Sequence, residues 1–421
     1  MNIRPTIVLA AAAALAATLT ASSVASASRS PLPTYWSASW ASAMQQPVAN
    51  SQAIWPNWST QGFSDQTIRQ QVRISGGGSR IRIRLSNLYG TKPLRIAAAT
   101  VAESGGGAAT KPGTMHSLTF GGRRSVSIPA RQVTASDAAD LHVTPLEPLT
   151  VTLFLAGATG PATFHDDGLT TTYQAAGDHV RDSGSAAFGG TTSHSYYYMT
   201  GVDVPTRHPE TVLAFGDSIT NGHNSTVGGN ARYTDALAER LIAGHSPLSV
   251  ANAGISGNLL LHQLPCFGET GVTRFQRDAL DQPGVRTVIL MEGSNDIWDS
   301  QADHGCGITP AVTAGQIIDG FRALIRAAHA RGIRVVGATI LPFRADVEPP
   351  ADFQRAEAIR QAVNKWVLNS GQYDAVADFA AAVADPADPR QLNPSYDSGD
   401  HFHPNDAGYR AIAAAINIGN L

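Results

Sequence analysis

A serine, a histidine and an aspartate, far apart along the chain, are the side chains best placed by type to share one reaction. Ser218 stands in Thr211-Val-Leu-Ala-Phe-Gly-Asp-Ser-Ile-Thr-Asn-Gly222, an apolar run broken by glycine and followed at once by polar residues. That pattern is a buried strand ending in a loop, which puts the hydroxyl at the carboxyl end of a strand, where open α/β sheets hold their ligands. Far downstream, Asp400-His-Phe-His-Pro-Asn-Asp-Ala-Gly408 supplies a carboxylate and an imidazole three residues apart. A hydroxyl nucleophile needs a base near neutral pKa and a group to orient that base. Ser218, His403 and Asp400 fill those roles. Acyl transfer also needs donors aimed at the oxygen that becomes anionic. Candidates are the main-chain N–H of Ser218, the main-chain N–H of Gly257 in Asn252-Ala-Gly-Ile-Ser-Gly257, and the side-chain amide of Asn295 in Glu292-Gly-Ser-Asn-Asp296. Taken singly each has a duller role, Gly257 as a turn glycine and Asn295 as a loop cap.

The elements that must carry these residues follow from periodicity. After Pro205, short apolar runs alternate with helical patterns, the mark of βαβ units. Strands are expected at Val212 to Phe215, Leu248 to Asn252, Thr287 to Met291, Arg334 to Ile340 and Ala375 to Phe379. Helices are expected over Tyr233 to Ala243, Gly271 to Asp281, Thr313 to Arg331, Asp352 to Ser370 and Pro404 to Ala415. In the third helix Ile317, Ile318, Phe321, Leu324, Ile325 and Ala328 share one face, which makes that face core. Every chemistry-bearing segment then follows a strand. In a parallel sheet all of those loops reach one edge and surround one crevice.

From Pro31 to Pro205 the texture is strand-like and rich in turns. Ile68, Gln70, Val72 and Ile74 alternate with Arg69, Gln71 and Arg73, and Ile81-Arg-Ile-Arg-Leu85 repeats the period of two after Gly76-Gly77-Gly78. This reads as a hairpin with its arginines in water. With further strands at Leu94 to Val101, Ser125 to Ile128 and Leu149 to Leu155, an all-β sandwich or jelly-roll-like domain is expected. Trp36, Trp40, Trp55 and Trp58 could stack on sugar rings if exposed together; as core or interface residues they would only pack. His165-Asp166-Asp167 reads as a solvated loop rather than a metal site.

The blocks Gly216-Asp-Ser-Ile-Thr220, Asn252-Ala-Gly-Ile-Ser-Gly257, Gly293-Ser-Asn-Asp296 and Asp400-His-Phe-His403, in that order, resemble those of the SGNH (GDSL-type) hydrolase superfamily. The resemblance covers about Thr211 to Tyr409. It implies a flavodoxin-like sheet of five parallel strands and serine-esterase activity without cofactor or metal. Ser218, Gly257, Asn295 and His403 would take the four family-defining positions, with Asp400 as the triad acid. The β region lies outside the resemblance, apart from a looser likeness to secreted two-domain members related to xylan-associated esterases. An α/β-hydrolase elbow is disfavoured, because Thr220 stands where Gly-x-Ser-x-Gly needs glycine, and because acid and base share one short segment.

The chain has 421 residues, 43% hydrophobic and 15% charged, enough for two cores, and its net charge of -3 gives no argument for nucleic acid or an anionic membrane as partner. Residues 1–27 have the form of a secretory signal: Arg4, the apolar run Ile7 to Leu19, then Ala25-Ser26-Ala27. The organisation expected is a leader over 1–27, a β domain over 31–205 and a catalytic domain over 206–421. Cys266 and Cys306 are the only cysteines, and in an exported chain a single disulfide between them is expected. They flank the segments of Gly257 and Asn295, so a bridge would brace both donors. Leu259, Leu260, Leu261, Phe267 and Trp298 could line an apolar acyl pocket or be covered by the β domain. His401 beside His403 is a poor metal pair. Asp217 and Asp296 read as hydrogen-bond acceptors that fix loops. The expected substrate is an acyl or acetyl ester on carbohydrate or a small alcohol. A lipid ester is the alternative, and sugar binding with a vestigial pocket a third.

Overall fold

Five β-strands after Thr206 lie parallel, in the spatial order Ser249–Gly254, Thr211–Gly216, Val285–Met291, Arg334–Ala338, Ala375–Ala377. The structure is a computed structural model and describes residues 1–2, 35–298, 303, 305–342 and 350–421. The leader expected over 1–27 lies, apart from Met1 and Asn2, outside the described residues. Strand centres fall where the apolar runs do, because a strand covered by helices on both faces must be apolar on both. Helices α1 (Ser218–Asn221), α2 (Tyr233–Ala243), α3 (Gly271–Phe275), α4 (Ser294–Trp298), α5 (Ala314–His329), α6 (Pro350–Asn369), α7 (Phe379–Val383) and α8 (Asp406–Ala415) connect and follow them. The short α1, α4 and α7 escape the periodicity, since one turn carries no repeat to detect.

Two separate cores cover the sheet. Ile317, Phe321, Leu324, Ile325 and Ala328 of α5 pack with Leu213, Phe215, Val288 and Leu290. On the other face, Leu237 and Leu241 of α2 and Tyr409 and Ile412 of α8 pack with Val212, Ala214, Ile289 and Met291. Each fully buried aliphatic or aromatic side chain contributes on the order of 1.5–3 kcal/mol. The side chains of alternate strand residues therefore serve opposite cores, which explains why these strands read as unbroken apolar runs.

The N-terminal region is a sandwich of two antiparallel sheets. One has the order Thr192–Ser193, Thr172–Ala176, Gln66–Arg73, Pro148–Leu155, Ala98–Glu103, His116–Ser117. The other has the order Tyr35–Ala41, Met199–Thr206, Arg82–Ser86, Val133–Ala135. Ile68, Val72, Val151 and Leu153 of the first share a core with Ile83, Leu85, Val202 and Val204 of the second.

The hairpin expected around Gly76-Gly77-Gly78 does not form. Gln66–Arg73 and Arg82–Ser86 belong to different sheets, and the glycine run is a crossing between them, with the N–H of Gly78 donating to Val143 O at 2.9 Å. Nor are its arginines in water. Arg69 is fully buried; its guanidinium donates to the carbonyls of Ala108 and Asp182 at 2.6 Å each and to Thr152 Oγ1 at 3.1 Å. Arg82 and Arg84 both bind the buried Asp203. An alternating pattern fixes which residues face together, but both faces of these strands are covered.

The sandwich and the parallel sheet share one compact unit. Ala38 O accepts from the hydroxyls of Thr211 (3.1 Å) and Ser249 (2.8 Å), and the hydroxyl of Ser75 donates to Val250 O at 2.7 Å. The Ser75 hydroxyl, which also accepts the N–H of Val250 at 2.8 Å, thus satisfies backbone at the edge strand Ser249–Gly254. The four early tryptophans are dispersed: Trp36 lies under Arg82, Trp40 against Tyr196, Trp55 beside His194 and Trp58 stacked on Tyr197, and none is exposed. Packing, not a shared platform, accounts for them.

Candidate active site

Asp217 follows the first parallel strand and caps α1, its Oδ1 accepting from the N–H of Ile219 at 3.0 Å. The next residue, Ser218, is therefore the first of a helix that begins at the sheet's carboxyl edge. Its N–H, in the first turn, has no acceptor within the helix. Gly254, at the end of the neighbouring strand, lets that turn come close, since a Cβ there would stand 2.2 Å from the N of Asn221.

His403 reaches this serine from the segment before α8. Its Nε2 is 2.8 Å from Ser218 Oγ, and its Nδ1 is 2.6 Å from Asp400 Oδ2. Asp400 Oδ1 also accepts the main-chain N–H of Phe402 (2.9 Å) and of His403 (2.8 Å), and Oδ2 accepts the amide of Asn224 at 2.8 Å. Burial opposes the charge on Asp400, but these donors, His403 first, hold its carboxyl well below the usual carboxylate range. Burial lowers the pKa of His403; the bond to Asp400 opposes that and the neighbouring His223 adds to it. The imidazole is thus neutral near pH 7, with Nδ1–H donating to Asp400 and Nε2 accepting from Ser218. His401 turns away from His403 and pairs with Asp397. Among the described residues there is no cluster of three histidine, cysteine or acidic side chains that could hold a metal.

The two other candidate donors lie after the adjoining strands, Gly257 on a loop and Asn295 at the start of α4. The N–H of Ile255 donates to Gly216 O at 3.0 Å, which ties the Gly257 loop to the strand of Ser218. Gly257 has φ +77, and a Cβ on it would meet the ring of Phe267 at 2.3 Å, so backbone and space both require glycine. The amide of Asn295, at the start of α4, donates to Asn258 O at 2.8 Å, leaving its second hydrogen for another acceptor. Asp296 Oδ2 and Oδ1 accept the N–H groups of Leu260 (2.6 Å) and Leu261 (2.8 Å), the loop-fixing role expected of it. Cys266 and Cys306 form a disulfide. Its neighbour Phe267 supports Gly257, and Phe267 O accepts from Asn258 Nδ2 at 2.7 Å. Of the apolar residues expected here, Leu259 and Leu260 are core, Leu260 lying against Gly271 and Gly320. Trp298 packs on Phe402 at 5.7 Å between centroids, and Phe402 on His403 at 4.8 Å.

Three features were not expected from sequence. The His165-Asp166-Asp167 segment is buried rather than solvated. His165 bonds Ala43 O and Asn221 Oδ1, while Asp167 receives Nδ1–H of His223 (2.7 Å), the hydroxyl of Ser256 (2.7 Å) and the indole N–H of Trp55 (2.7 Å). The segment reads as polar and local in sequence, and only the fold brings a loop of the sandwich against α1. Second, Arg274 is fully buried against the end of the strand that precedes Ser218. It donates to Asn258 Oδ1 (2.7 Å), Ala253 O (2.7 Å) and Gly216 O (2.8 Å) and faces Glu292 at 3.8 Å. Burial pushes Glu292 well above the usual range. Third, a cavity of about 190 Å³ opens between sandwich and α2, lined by Trp40, Gln71, Arg232 and Asn252; neither Ser218 nor His403 lines it.

Residues 214–411 match the model of the GDSL-like lipase/acylhydrolase family. This chain carries a GDSL-like ester-hydrolase domain. The four blocks and the five-stranded parallel sheet agree with that membership. Among solved structures, the domain is similar to a lipase/acylhydrolase from Enterococcus faecalis (18% identity, 49% of this chain and 92% of that one, TM-score 0.37). It is also similar to the acetyl xylan esterase AlAXEase (22%, 49% and 96%, 0.37) and to an acetyl-xylooligosaccharide esterase from a Geobacillus (21%, 49% and 92%, 0.37). No curated protein matches the chain. Among the described residues no helix is long and apolar enough to cross a membrane.

Proposed function

We propose that the GDSL-like domain cleaves carboxylic esters through an acyl-enzyme on Ser218. The observation that carries this reading is the unbroken chain Ser218 Oγ, His403 and Asp400, joined at 2.8 and 2.6 Å. In the first step Ser218 Oγ bonds to the ester carbonyl carbon while His403 Nε2 takes the hydroxyl proton. The carbonyl oxygen becomes anionic and is met by the N–H of Ser218, the N–H of Gly257 and the amide of Asn295. Collapse breaks the bond to the alcohol oxygen, which leaves with the proton from His403. Water then repeats the sequence on the acyl-enzyme, with His403 again as base, and frees the acid. Asp400 holds the tautomer and offsets the charge of the imidazolium. No step calls for a metal or other cofactor.

Ser218→Ala should abolish turnover of a small aryl ester in a protein that still folds. Equal hydrolysis by variant and parent refutes the reading. The acyl group proposed is acetyl or another short chain, on carbohydrate or a small alcohol. A longer, lipid-type acyl chain is favoured by one observation, the apolar pair Trp298 and Phe402 beside His403. A series of aryl esters separates the two: a maximum at acetyl supports the first, a maximum at octanoyl or beyond the second. We also propose export, since the leader-like residues 1–27 and a disulfide both suit an oxidising compartment. Sugar binding without turnover is the reading that an active wild type and an inactive Ser218→Ala variant would exclude.

A further inference from the structure

Next to His403 stands a second imidazole with its own carboxylate. The chain leaves α1 through Gly222, and the N–H of His223 donates to Ser218 O at 3.0 Å, so His223 is fixed to the backbone of the proposed nucleophile. Its carbonyl accepts the phenol of Tyr409 from α8 at 2.6 Å. Its Nδ1–H donates to Asp167 Oδ2 at 2.7 Å. The ring then meets His403 edge to face, with 4.7 Å between centroids and 71° between planes. Asn224, the next residue, donates to Asp400 Oδ2 at 2.8 Å. One loop therefore touches both the base and the acid of the proposed triad, and the loop itself is held by a carboxylate from the β sandwich.

Asp167 is 1% exposed, and every donor it meets is fixed by other contacts. Trp55 belongs to the sandwich and Ser256 to the loop of Gly257, while Asn221 ends α1. Such a carboxylate cannot relax into water when a neighbour changes charge. We propose that Asp167 and His223 form a positioning pair for the catalytic base: the sandwich reaches into the site through Asp167, and the His223 ring it holds sets the orientation and charge state of His403. This inference rests on the triad reading and gives the N-terminal region a part in turnover.

The electrostatics agree in direction. Burial raises the cost of charging both rings, but the bond and charge of Asp167 lift His223 above its ordinary value. The charges facing His223 are Asp167, Asp166 and Asp400, with His403 across the ring contact; from α8 the Tyr409 phenol approaches. Those facing His403 are Asp400, His223 and Asp167. A cationic His223 at ring-contact distance disfavours a second imidazolium at His403, because like charges a few ångströms apart repel strongly in a partly dry site. His403 accordingly stays free to accept the serine proton at lower pH than an isolated histidine would.

The test is the acid limb of kcat/KM against pH for a small aryl ester, in the full chain. His223→Gln removes the charge and should move the midpoint up by about one pH unit, which well below both midpoints is a loss of about tenfold relative to the parent when each rate is normalised to its own alkaline plateau. Asp167→Asn should move it the same way by less, since a negative charge near His403 is lost together with the positive one. Near-ultraviolet circular dichroism and the melting temperature establish that each variant folds; His223→Gln decides where it folds, and Asp167→Asn where it does not. A fall in rate by one factor at every pH, or an unmoved or lowered midpoint, overturns the inference and leaves the pair a structural tie. Ser218→Ala in the same assay keeps the two readings apart. If it retains full turnover the triad reading fails; if it is inactive and the midpoint has not moved, only this inference fails.

Discussion

The carbonyl of Gly216, two residues before Ser218, accepts a hydrogen bond of 2.8 Å from the buried guanidinium of Arg274. The same guanidinium holds Ala253 and Asn258, so one side chain joins the strand of the serine to the loop of Gly257. It also lies 4.0 Å over the ring of Phe215. Arg274→Met should cost about 3–5 kcal/mol, because three acceptors and Glu292 would be left buried without it. Arg274→Lys keeps the charge but loses the fork, and should fall between. Urea midpoints measure the first effect. Turnover measured well below those midpoints should fall as well, since the loop of Gly257 loses its anchor.

The three proposed donors can be separated by kinetics. Asn295→Ala should lower kcat on the order of 100- to 1000-fold with a smaller change in KM, the mark of a contact made chiefly in the transition state. Gly257→Ala is a different experiment, since its φ of +77 and the Phe267 ring both reject a Cβ. The residue should turn its N–H away, and kcat should fall by a similar order with Ser218 still reactive toward an irreversible acylating probe. A Gly257→Ala variant with parental kcat would remove that N–H from the site.

The disulfide should matter to rate as well as to stability. Cys266 and Cys306 are 40 positions apart, for which the chain-entropy account gives about 3–4 kcal/mol. Phe267 follows Cys266 and carries Gly257 on its ring, so opening the bridge loosens one donor. Reduction at a temperature where the fold persists, judged by circular dichroism, should lower kcat. Unchanged turnover after complete reduction would show that Asn258 and Leu264 hold Phe267 well enough without the bridge.

Much of this site was legible in the sequence because Ser218, Gly257 and Asn295 follow strand ends, which show as a switch from apolar to polar residues. The sheet, its five strands and those three segments follow from that switch, whereas Asp400 to His403, well past the last strand and just before α8, stood out by the types and spacing of its side chains. Arg274 was not legible: within a helical stretch a single arginine reads as solvated, and its burial depends on a pocket made by three loops. Asp167 was hidden for a related reason. Its neighbours in sequence are polar, its partners are His223 and Ser256, and nothing local separates a solvated acidic loop from one pressed into a protein interior. The glycine run at 76–78 misled in the other direction, because alternation reports which residues share a face and not which strand lies beside it.

The Asp217 side chain is fully buried beside the equally buried Glu292 and Asp296, and burial pushes its pKa up to about 7. An unfolded aspartate titrates near 3.9. Between those values the folded state holds a proton that the unfolded state has lost, so this group's contribution to stability is fully present below about pH 4 and declines as pH rises toward 7. Asn is as good an N-cap as Asp and can still accept from Ile219, but it does not ionise. Asp217→Asn should therefore match the parent near pH 4 and become the more stable of the two by pH 8. The gain should be no more than about 4 kcal/mol, the value of three pKa units. Asp166, pushed up to about 7, and Asp296, pushed up to about 6, act in the same direction and stay unchanged in the variant, so parent and variant must be compared at each pH. Urea unfolding of both at pH 4.5 and pH 8 measures the gap. A variant less stable than its parent at pH 8 would mean that Asp217 is ionised in the fold and that its carboxylate holds more than one cap.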